Sequence, residues 1–164
     1  GTSDDFDFND VVVRVSYPDE NNRSTVELCA IGGTLPVTVF CDNIQLGQEV
    51  HNYGEFGDNT KNKKNVPIAT LSEITVPVGT TVADLNINIQ VTRTNGQVVT
   101  IGAPAAGSTP FRVAVNGDEN GKWFWSTERN NISNAYPQFG LWGADMTTNP
   151  DWYKSPSNSG VFRW

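Results

Sequence analysis

The strongest structural signal in this sequence is the alternation of apolar and polar residues over Leu85–Arg93. A period of two is the pattern of a strand that has one face in a core and the other in water. Asn95-Gly96 follows and leads into Val98–Ile101, and this dipeptide is typical of a two-residue type I′ hairpin turn. We therefore predict a hairpin whose inward residues are Leu85, Ile87, Ile89 and Val91, with Asn86, Asn88, Gln90 and Thr92 facing water.

Strand patterns recur along the chain, whereas no segment shows the 3.6-residue period of a long amphipathic helix. They cover Val11–Tyr17, Thr25–Ile31, Val37–Cys41, Ile74–Val78 and Phe111–Val115. The 15 Gly and 9 Pro among 164 residues suit short strands joined by many turns. We expect residues 1–164 to form one all-β domain, an antiparallel, jelly-roll-like β-sandwich with an irregular aromatic-rich C-terminal segment. We also expect this domain to be a fragment of a longer precursor, because the sequence opens abruptly on Gly1-Thr2-Ser3 and a strand signal follows within ten residues.

The charge of the chain argues against two classes of partner. The formal net charge is −7, and Lys61, Lys63 and Lys64 form the only positive cluster in the sequence. Phosphate backbones and anionic lipids require a larger basic surface, so we expect no nucleic-acid partner. No apolar run approaches the roughly 20 residues of a membrane span, so we expect no membrane insertion by this domain.

The densest group of oxygen ligands is residues 4–10, with the sequence DDFDFND, which we call the acidic entry. Ca²⁺ would neutralise this group, because it takes roughly six to eight oxygen ligands from carboxylates, amides and carbonyls. Thiolate and imidazole are too scarce for zinc or copper. A solvated acidic turn is the alternative, since Asp and Asn favour turns. The predicted ligands of a structural Ca²⁺ are Asp5, Asp7, Asn9 and Asp10, although Asp10 stands where an EF-hand loop needs Gly.

The phase of the apolar pattern changes within the acidic entry. Phe6 and Phe8 are even-numbered, whereas the inward valines of Val11–Val15 are odd-numbered. A strand cannot change faces without a bulge or a bend. We therefore predict a bend near Asn9-Asp10, where side-chain and backbone oxygens can converge.

Signals for catalysis are weak. The one histidine, His51, would share a strand face with Glu49, and such a pair can hold a metal or act as acid and base. An ordinary, partly exposed strand pair is the more common outcome, and no nucleophile-elbow sequence accompanies the histidine. Two carboxylates suffice for glycoside hydrolysis, so a glycoside hydrolase is one alternative function. We expect that this chain is not an enzyme, and we assign no catalytic residue.

Cys29 and Cys41 lie on either side of the segment Gly32–Pro36, each six residues from position 35. If that segment closes a hairpin, the two thiols would face each other and could form a disulfide, which an exported protein permits. If it crosses between two sheets, the thiols stay apart. The sequence leaves both arrangements open.

Aromatic residues crowd the C-terminal part of the chain. Exposed Trp and Tyr rings can stack on sugars, so a carbohydrate-binding module is the other alternative function. We expect most of these rings to be structural, packed against the sheets. We expect a second oxygen-rich segment, Asn116–Gly121, to be a turn, with a second cation site as the alternative. The aromatic residues are Trp123, Phe124, Trp125, Tyr136, Phe139, Trp142, Trp152, Tyr153, Phe162 and Trp164.

Several segments together resemble LruC-type domains of bacterial envelope proteins. They are Asp5–Val13, Gly32–Pro36, Gly47–His51, Tyr136–Trp142 and Asn149–Tyr153. The resemblance implies an exported protein, in some cases a lipoprotein, at the outer membrane, cell surface or periplasm of a bacterium. It also implies that this domain is the C-terminal part of a longer exported precursor, and it supplies no catalytic residues. The acidic entry also resembles calcium-associated segments of bacterial adhesion-type β domains. We therefore expect a non-catalytic, calcium-binding module for adhesion or display, with a glycan or a surface protein as partner and an oligomeric state that the sequence leaves open.

Overall fold

The fold was analysed in a computed structural model of the chain that describes residues 8–64, 66–105, 108, 111–117 and 122–163. This part of the chain contains seven strands and a few short helices. The strands are β1 (Val11–Val15), β2 (Arg23–Ile31), β3 (Val37–Cys41), β4 (Ile44–Leu46), β5 (Ala69–Thr75), β6 (Ile87–Thr92) and β7 (Val98–Ile101). The helices are α1 (Ile132–Ala135) and α2 (Phe139–Ala144), with 3₁₀ turns at Val50–Asn52, Val82–Asp84 and Trp152–Lys154.

The strands form two antiparallel sheets, which confirms the all-β prediction. One sheet has the order β1-β2-β5 and the other the order β4-β3-β6-β7. Val26 and Leu28 of the first sheet belong to the same buried cluster as Val37 and Val39 of the second. We call this cluster the shared core. Burial of these branched side chains stabilises each sheet by covering one of its faces.

The predicted strand bounds agree with the structure to different degrees. The bounds of β3 and β7 are as predicted, but the strand expected at Ile74–Val78 lies earlier, at β5. Val78 is 86% exposed and follows Pro77, which cannot donate to a sheet ladder. Phe111–Val115 forms no strand; two of its valines pack against aromatic residues of the C-terminal segment instead. The sequence did not predict β4, which is too short to show a period.

The β6–β7 hairpin is present, but its turn differs from the prediction. Arg93 N donates to Gln97 O at 2.8 Å, so three residues rather than two form the loop. Of the Asn95-Gly96 pair only Gly96 has a positive φ, 81°. A type I′ turn needs both residues in that region, whereas a three-residue loop needs it only at its last position. The dipeptide therefore located the hairpin correctly and gave the wrong turn type.

The alternation of β6 is confirmed on its inward face and corrected on its outward face. Ile87, Ile89 and Val91 pack against the shared core. Asn88, predicted to face water, is only 6% exposed. Its side-chain nitrogen donates to the carbonyls of Asp42 and Asn86 at 3.1 and 3.2 Å. These bonds satisfy the amide donors and so permit burial.

The second face of β2 is also covered at its C-terminal end. The β1–β2 register shifts between Val12 and Val13. Leu28 and Ile31 then belong to the shared core, while Cys29 and Ala30 belong to a separate cluster with C-terminal aromatic residues. A bulge of this kind turns side chains to the opposite face. The first sheet therefore lies between the shared core and part of the C-terminal segment.

The C-terminal segment is irregular and aromatic-rich, as predicted. Its own cluster includes Tyr136, Phe139 and Trp152, all buried. Trp152 lies 4.9 Å from Phe139 and 5.4 Å from Tyr136, ring centre to ring centre, in edge-to-face geometry. Such pairs are favourable beyond their buried area. No helix among the described residues has the length and apolar character that spanning a membrane requires.

Candidate functional site

The structure describes only the last part of the acidic entry. Asp4, Asp5 and Asp7 lie outside the described residues, whereas Asn9 and Asp10 lie within them. Bends occur at Phe8 and Asp10, and Phe8 has a φ of 57°. The predicted change of direction near Asn9-Asp10 is therefore confirmed, and β1 begins immediately after it.

Asn9 joins three parts of the molecule. It is fully buried, and its side-chain nitrogen donates to the carbonyl of Ser126 at 3.0 Å. Its own carbonyl accepts from Gly32 N at 3.0 Å, and the carbonyl of Asp10 accepts from Gly33 N at 3.1 Å. The acidic entry thus meets the start of the β2–β3 connection on one side and the C-terminal segment on the other.

Two glycines make this junction possible. A Cβ built on Gly32 would lie 2.7 Å from the backbone oxygen of Asn9 and closer still to its side-chain oxygen. A Cβ on Gly33 would lie 2.9 Å from a carboxylate oxygen of Asp10. Both distances are shorter than van der Waals contact. This role of Gly32-Gly33 was not predicted from the sequence, although adjacent glycines are a signal of close backbone approach.

The two predicted calcium ligands that the structure describes carry oxygen donors of the type that Ca²⁺ binds. Asp10 is exposed and presents a hard carboxylate oxygen, while Asn9 is buried with its amide nitrogen turned to Ser126. Hard oxygen donors are the ligands that Ca²⁺ prefers. Within the described ranges no three His, Cys, Asp or Glu side chains converge closely enough to hold a metal. Two of the four predicted ligands lie outside those ranges, so the calcium site stays a prediction.

His51 and Glu49 form a structural latch rather than an exposed strand pair. They lie at the start of the 3₁₀ turn Val50–Asn52, where a carboxylate oxygen of Glu49 lies 2.7 Å from His51 Nδ1 and accepts from Val37 N at 3.0 Å. His51 Nε2 lies 3.0 Å from the carbonyl oxygen of Gly33. The pair thereby connects both ends of the β2–β3 connection. Because both ring nitrogens face acceptor oxygens, the ring makes both bonds at once only when both nitrogens are protonated.

The electrostatics of Glu49 follow from these contacts. Partial burial raises its pKa, but the hydrogen bonds from Val37 N, from the His51 ring and from His51 N outweigh that effect. The pKa of Glu49 is therefore lower than its ordinary value, because the charged carboxylate is the better acceptor. The latch is strongest when Glu49 is ionised.

The two cysteines do not form a disulfide. Both thiols are free, with Cys29 buried and Cys41 partly buried. Gly32–Pro36 crosses from the three-stranded sheet to the four-stranded sheet, which is the second arrangement that the sequence left open. Cys29 packs under the C-terminal aromatic residues, whereas Cys41 packs against the shared core. The thiols therefore belong to different clusters.

The burial of the first four residues of a polar loop, residues 57–64, was not predicted from the sequence. Asn59 is fully buried, and its side-chain nitrogen donates to the carbonyls of Cys29 and Val66, both at 2.9 Å. Its side-chain oxygen accepts from Lys64 N at 2.8 Å. Its backbone carbonyl accepts from Trp125 Nε1, also at 2.8 Å. This loop ties β2 to the C-terminal segment, and only its Asn-rich, Gly-containing composition marked it as a turn.

Two of the three lysines of this loop contact neighbouring side chains. Lys64 Nζ lies 3.4 Å from a carboxylate oxygen of the buried Asp58, and Lys61 Nζ lies 4.0 Å from the ring centre of Phe56. The ion pair lies within the loop, whereas the cation–π contact joins the loop to the residue that precedes it.

Most of the C-terminal rings are structural, as predicted. Trp125, Tyr136, Phe139, Trp152 and Phe162 are buried. The half-buried rings are Trp123, Phe124, Trp142 and Tyr153, and Trp164 lies outside the described residues. Residues 118–121 of the second oxygen-rich segment also lie outside them. A sugar platform built from exposed tryptophans therefore has few rings available in the described part of this segment.

Comparison with known proteins gave no match of this chain to a protein-family model, to a curated protein or to a solved structure.

Proposed function

We propose that this chain is a non-catalytic β-sandwich module of a bacterial cell-surface protein, with an adhesion or display role and a structural Ca²⁺ at the acidic entry. The observation that supports the ion is the docking of Asn9 and Asp10 between Gly32-Gly33 and Ser126. The acidic entry meets the fold where the β2–β3 connection and the C-terminal segment come together. An ion bound there stabilises all three parts.

The exported, cell-surface assignment rests on the resemblance to LruC-type envelope domains. The non-catalytic assignment is supported by the latch, because the single histidine and its glutamate already bond to Gly33 and Val37. A general base needs a free nitrogen directed at a substrate. Both ring nitrogens of His51 face protein oxygens instead.

In this proposal Asp5, Asp7, Asn9 and Asp10 hold the ion. Bound Ca²⁺ supplies positive charge and hard coordination for oxygens that otherwise repel one another. Hydrogen bonds within the fold hold the acidic entry in place: Asn9 donates to Ser126, and the carbonyl of Asp10 accepts from Gly33. The ion thereby fixes the start of β1 and leaves loops of the module for partner binding.

Thermal melts in millimolar Ca²⁺, in Mg²⁺ and in chelator test whether Ca²⁺ binds at the acidic entry. Ca²⁺ that binds only the folded state adds about 2.7 kcal/mol to the free energy of unfolding when its concentration is 100 times the dissociation constant. For a chain of this size this raises the melting temperature by several degrees. We expect a rise with Ca²⁺ that Asp7→Asn removes.

The matched control is Glu20→Gln, which removes one charge from an exposed turn outside the acidic entry. It should leave the Ca²⁺-dependent rise unchanged. Equal melting temperatures in Ca²⁺ and chelator would show that the acidic entry is a solvated turn.

A further inference from the structure

The outer face of the four-stranded sheet, turned away from the shared core, has an unusual composition. Pairing sets Phe40 of β3 opposite both Gln45 of β4 and Asn88 of β6. Gln90 of β6 lies opposite Thr100 of β7. Directly paired residues share a face, so the ring of Phe40 lies among amides and hydroxyls on this part of the face.

A groove of about 480 Å³ lies on this face. It continues past the ends of the strands to the β3–β4 turn and to the residues after β7. Its volume is within the range of small-ligand sites. Its lining includes Phe40, Asn43, Asn86, Gln90, Thr100 and Gly102.

Gly102 contributes no side chain to the lining of the groove. This residue follows β7 and lies beside Asn88 of β6. A Cβ built on Gly102 would meet only the Cβ of Asn88, at 4.0 Å, which is ordinary van der Waals contact. A side chain at this position would therefore start without a clash in the lining of the groove. The buried Asn88 forms the floor, held by its bonds to the carbonyls of Asp42 and Asn86.

The lining selects one chemical class of ligand. Its charged group is the carboxylate of Asp42, and no lining residue is cationic, which disfavours phosphates and other anions. Amides both donate and accept hydrogen bonds, and so do sugar hydroxyls. The half-buried ring of Phe40 offers an apolar plane for the C–H face of a sugar ring.

We propose that this groove binds a neutral oligosaccharide, with Phe40 stacking on one sugar ring and Asn43, Asn86 and Gln90 bonding its hydroxyls. The site lies on the four-stranded sheet, whereas the acidic entry leads into β1 of the other sheet. Its ligand binding therefore does not depend on the calcium proposal.

Affinity electrophoresis of the whole chain tests the proposal. The probes are gels that contain xyloglucan, galactomannan, amylopectin or dextran, with hyaluronan as the anionic comparison. We expect at least one neutral polysaccharide to retard the wild-type protein. Phe40→Ala and Gly102→Gln should each lower the association constant by at least about tenfold, since one removes the ring and the other fills the groove.

Two controls match these variants. Tyr17→Ala removes a ring that is 79% exposed outside the groove, and Gly140→Gln adds the same side chain to an open position on α2. Both should be retarded like the wild type. Far-UV circular dichroism verifies folding, and if Phe40→Ala does not fold, Gly102→Gln decides alone. Retardation by none of the neutral polysaccharides, by hyaluronan only, or equally by Gly102→Gln and the wild type overturns the proposal.

Discussion

At the scale of single residues, Glu49 and His51 illustrate how one pair can suit two roles. In sequence they suggest acid–base chemistry, because a carboxylate and an imidazole lie two positions apart. In the structure they brace the backbone at Gly33 and at Val37. The decisive difference is the 3₁₀ turn Val50–Asn52, which directs the histidine ring to the β2–β3 connection.

The lowered pKa of Glu49 makes the contribution of the latch depend on pH. A carboxyl whose pKa is lower in the folded state stabilises the fold above its unfolded pKa of about 4.3, and this stabilisation is lost as the pH falls through the folded value. We expect Glu49→Gln to be less stable than the wild type at pH 5.5, with a difference that shrinks as the pH falls to 2.5.

Urea unfolding at pH values between 2.5 and 5.5 measures this difference. Glu20→Gln, in the exposed turn before β2, is the matched control and should follow the wild type throughout. If the difference in stability between Glu49→Gln and the wild type stays constant over this range, the ionised carboxylate of Glu49 does not stabilise the fold.

At the scale of elements, the polar loop of residues 57–64 connects the first sheet to the C-terminal segment. Asn59 has a φ of 54° and satisfies three backbone partners with its side chain. Asn tolerates this left-handed conformation better than most residues. Its side chain therefore replaces the backbone pairing that a strand would provide.

Asn59→Gly separates the backbone role from the side-chain role. Glycine adopts the same φ at little cost, so the variant loses only the side-chain bonds and leaves the carbonyls of Cys29 and Val66 without this donor. We expect a loss of about 2–4 kcal/mol in the free energy of unfolding, since each lost bond costs about 0.5–1.5 kcal/mol and buried orphaned groups cost more.

The matched control is Asn22→Gly. Asn22 has a φ of 56° and lies in an exposed turn. Its replacement should change the free energy of unfolding by a few tenths of a kcal/mol at most. Similar losses in both variants, measured by urea unfolding, would show that conformation rather than the Asn59 side chain sets the stability of the loop.

At the scale of the whole molecule, the C-terminal segment provides a second cover for β2. Trp125 and Phe162 stack with ring centres 6.0 Å apart and lie in one cluster with Cys29 and Ala30. Phe162 N donates to the carbonyl of Trp125 at 2.7 Å, which closes the segment on itself. This cover makes the first sheet buried on both faces at one end.

Thiol labelling reports on this cover. Burial raises the pKa of Cys29 to about 12, and the thiolate is the reactive form. In single-cysteine variants at pH 8 we expect iodoacetamide to label Cys29 at least about a hundredfold more slowly than Cys41. Trp125→Phe, which loses the bond to Asn59, should accelerate the labelling of Cys29.

Trp142→Phe alters a ring in the other C-terminal cluster and is the matched control. It should leave the labelling rate of Cys29 unchanged. If both variants change that rate in proportion to their free energy of unfolding, Cys29 becomes accessible only by global unfolding, and the cover does not open separately.

The sequence determined those features whose physical cause is local. The inward positions Ile87, Ile89 and Val91 followed from the alternation of the sequence, and the bend at Asn9-Asp10 followed from a change of phase within ten residues. The aromatic, irregular C-terminal segment followed from composition. In each case the residues that form the feature are neighbours along the chain.

Only the tertiary structure decided which distant residues meet. The crossing of Gly32–Pro36 between sheets, which separates Cys29 from Cys41, depends on how the two sheets pack. The burial of Asn88 and Asn59 depends on carbonyl partners elsewhere in the chain, among them Asp42 and Cys29. Such partners are selected by the free energy of the whole packed molecule, in which a buried amide is tolerated only when its hydrogen bonds are satisfied. No local period in the sequence contains that information.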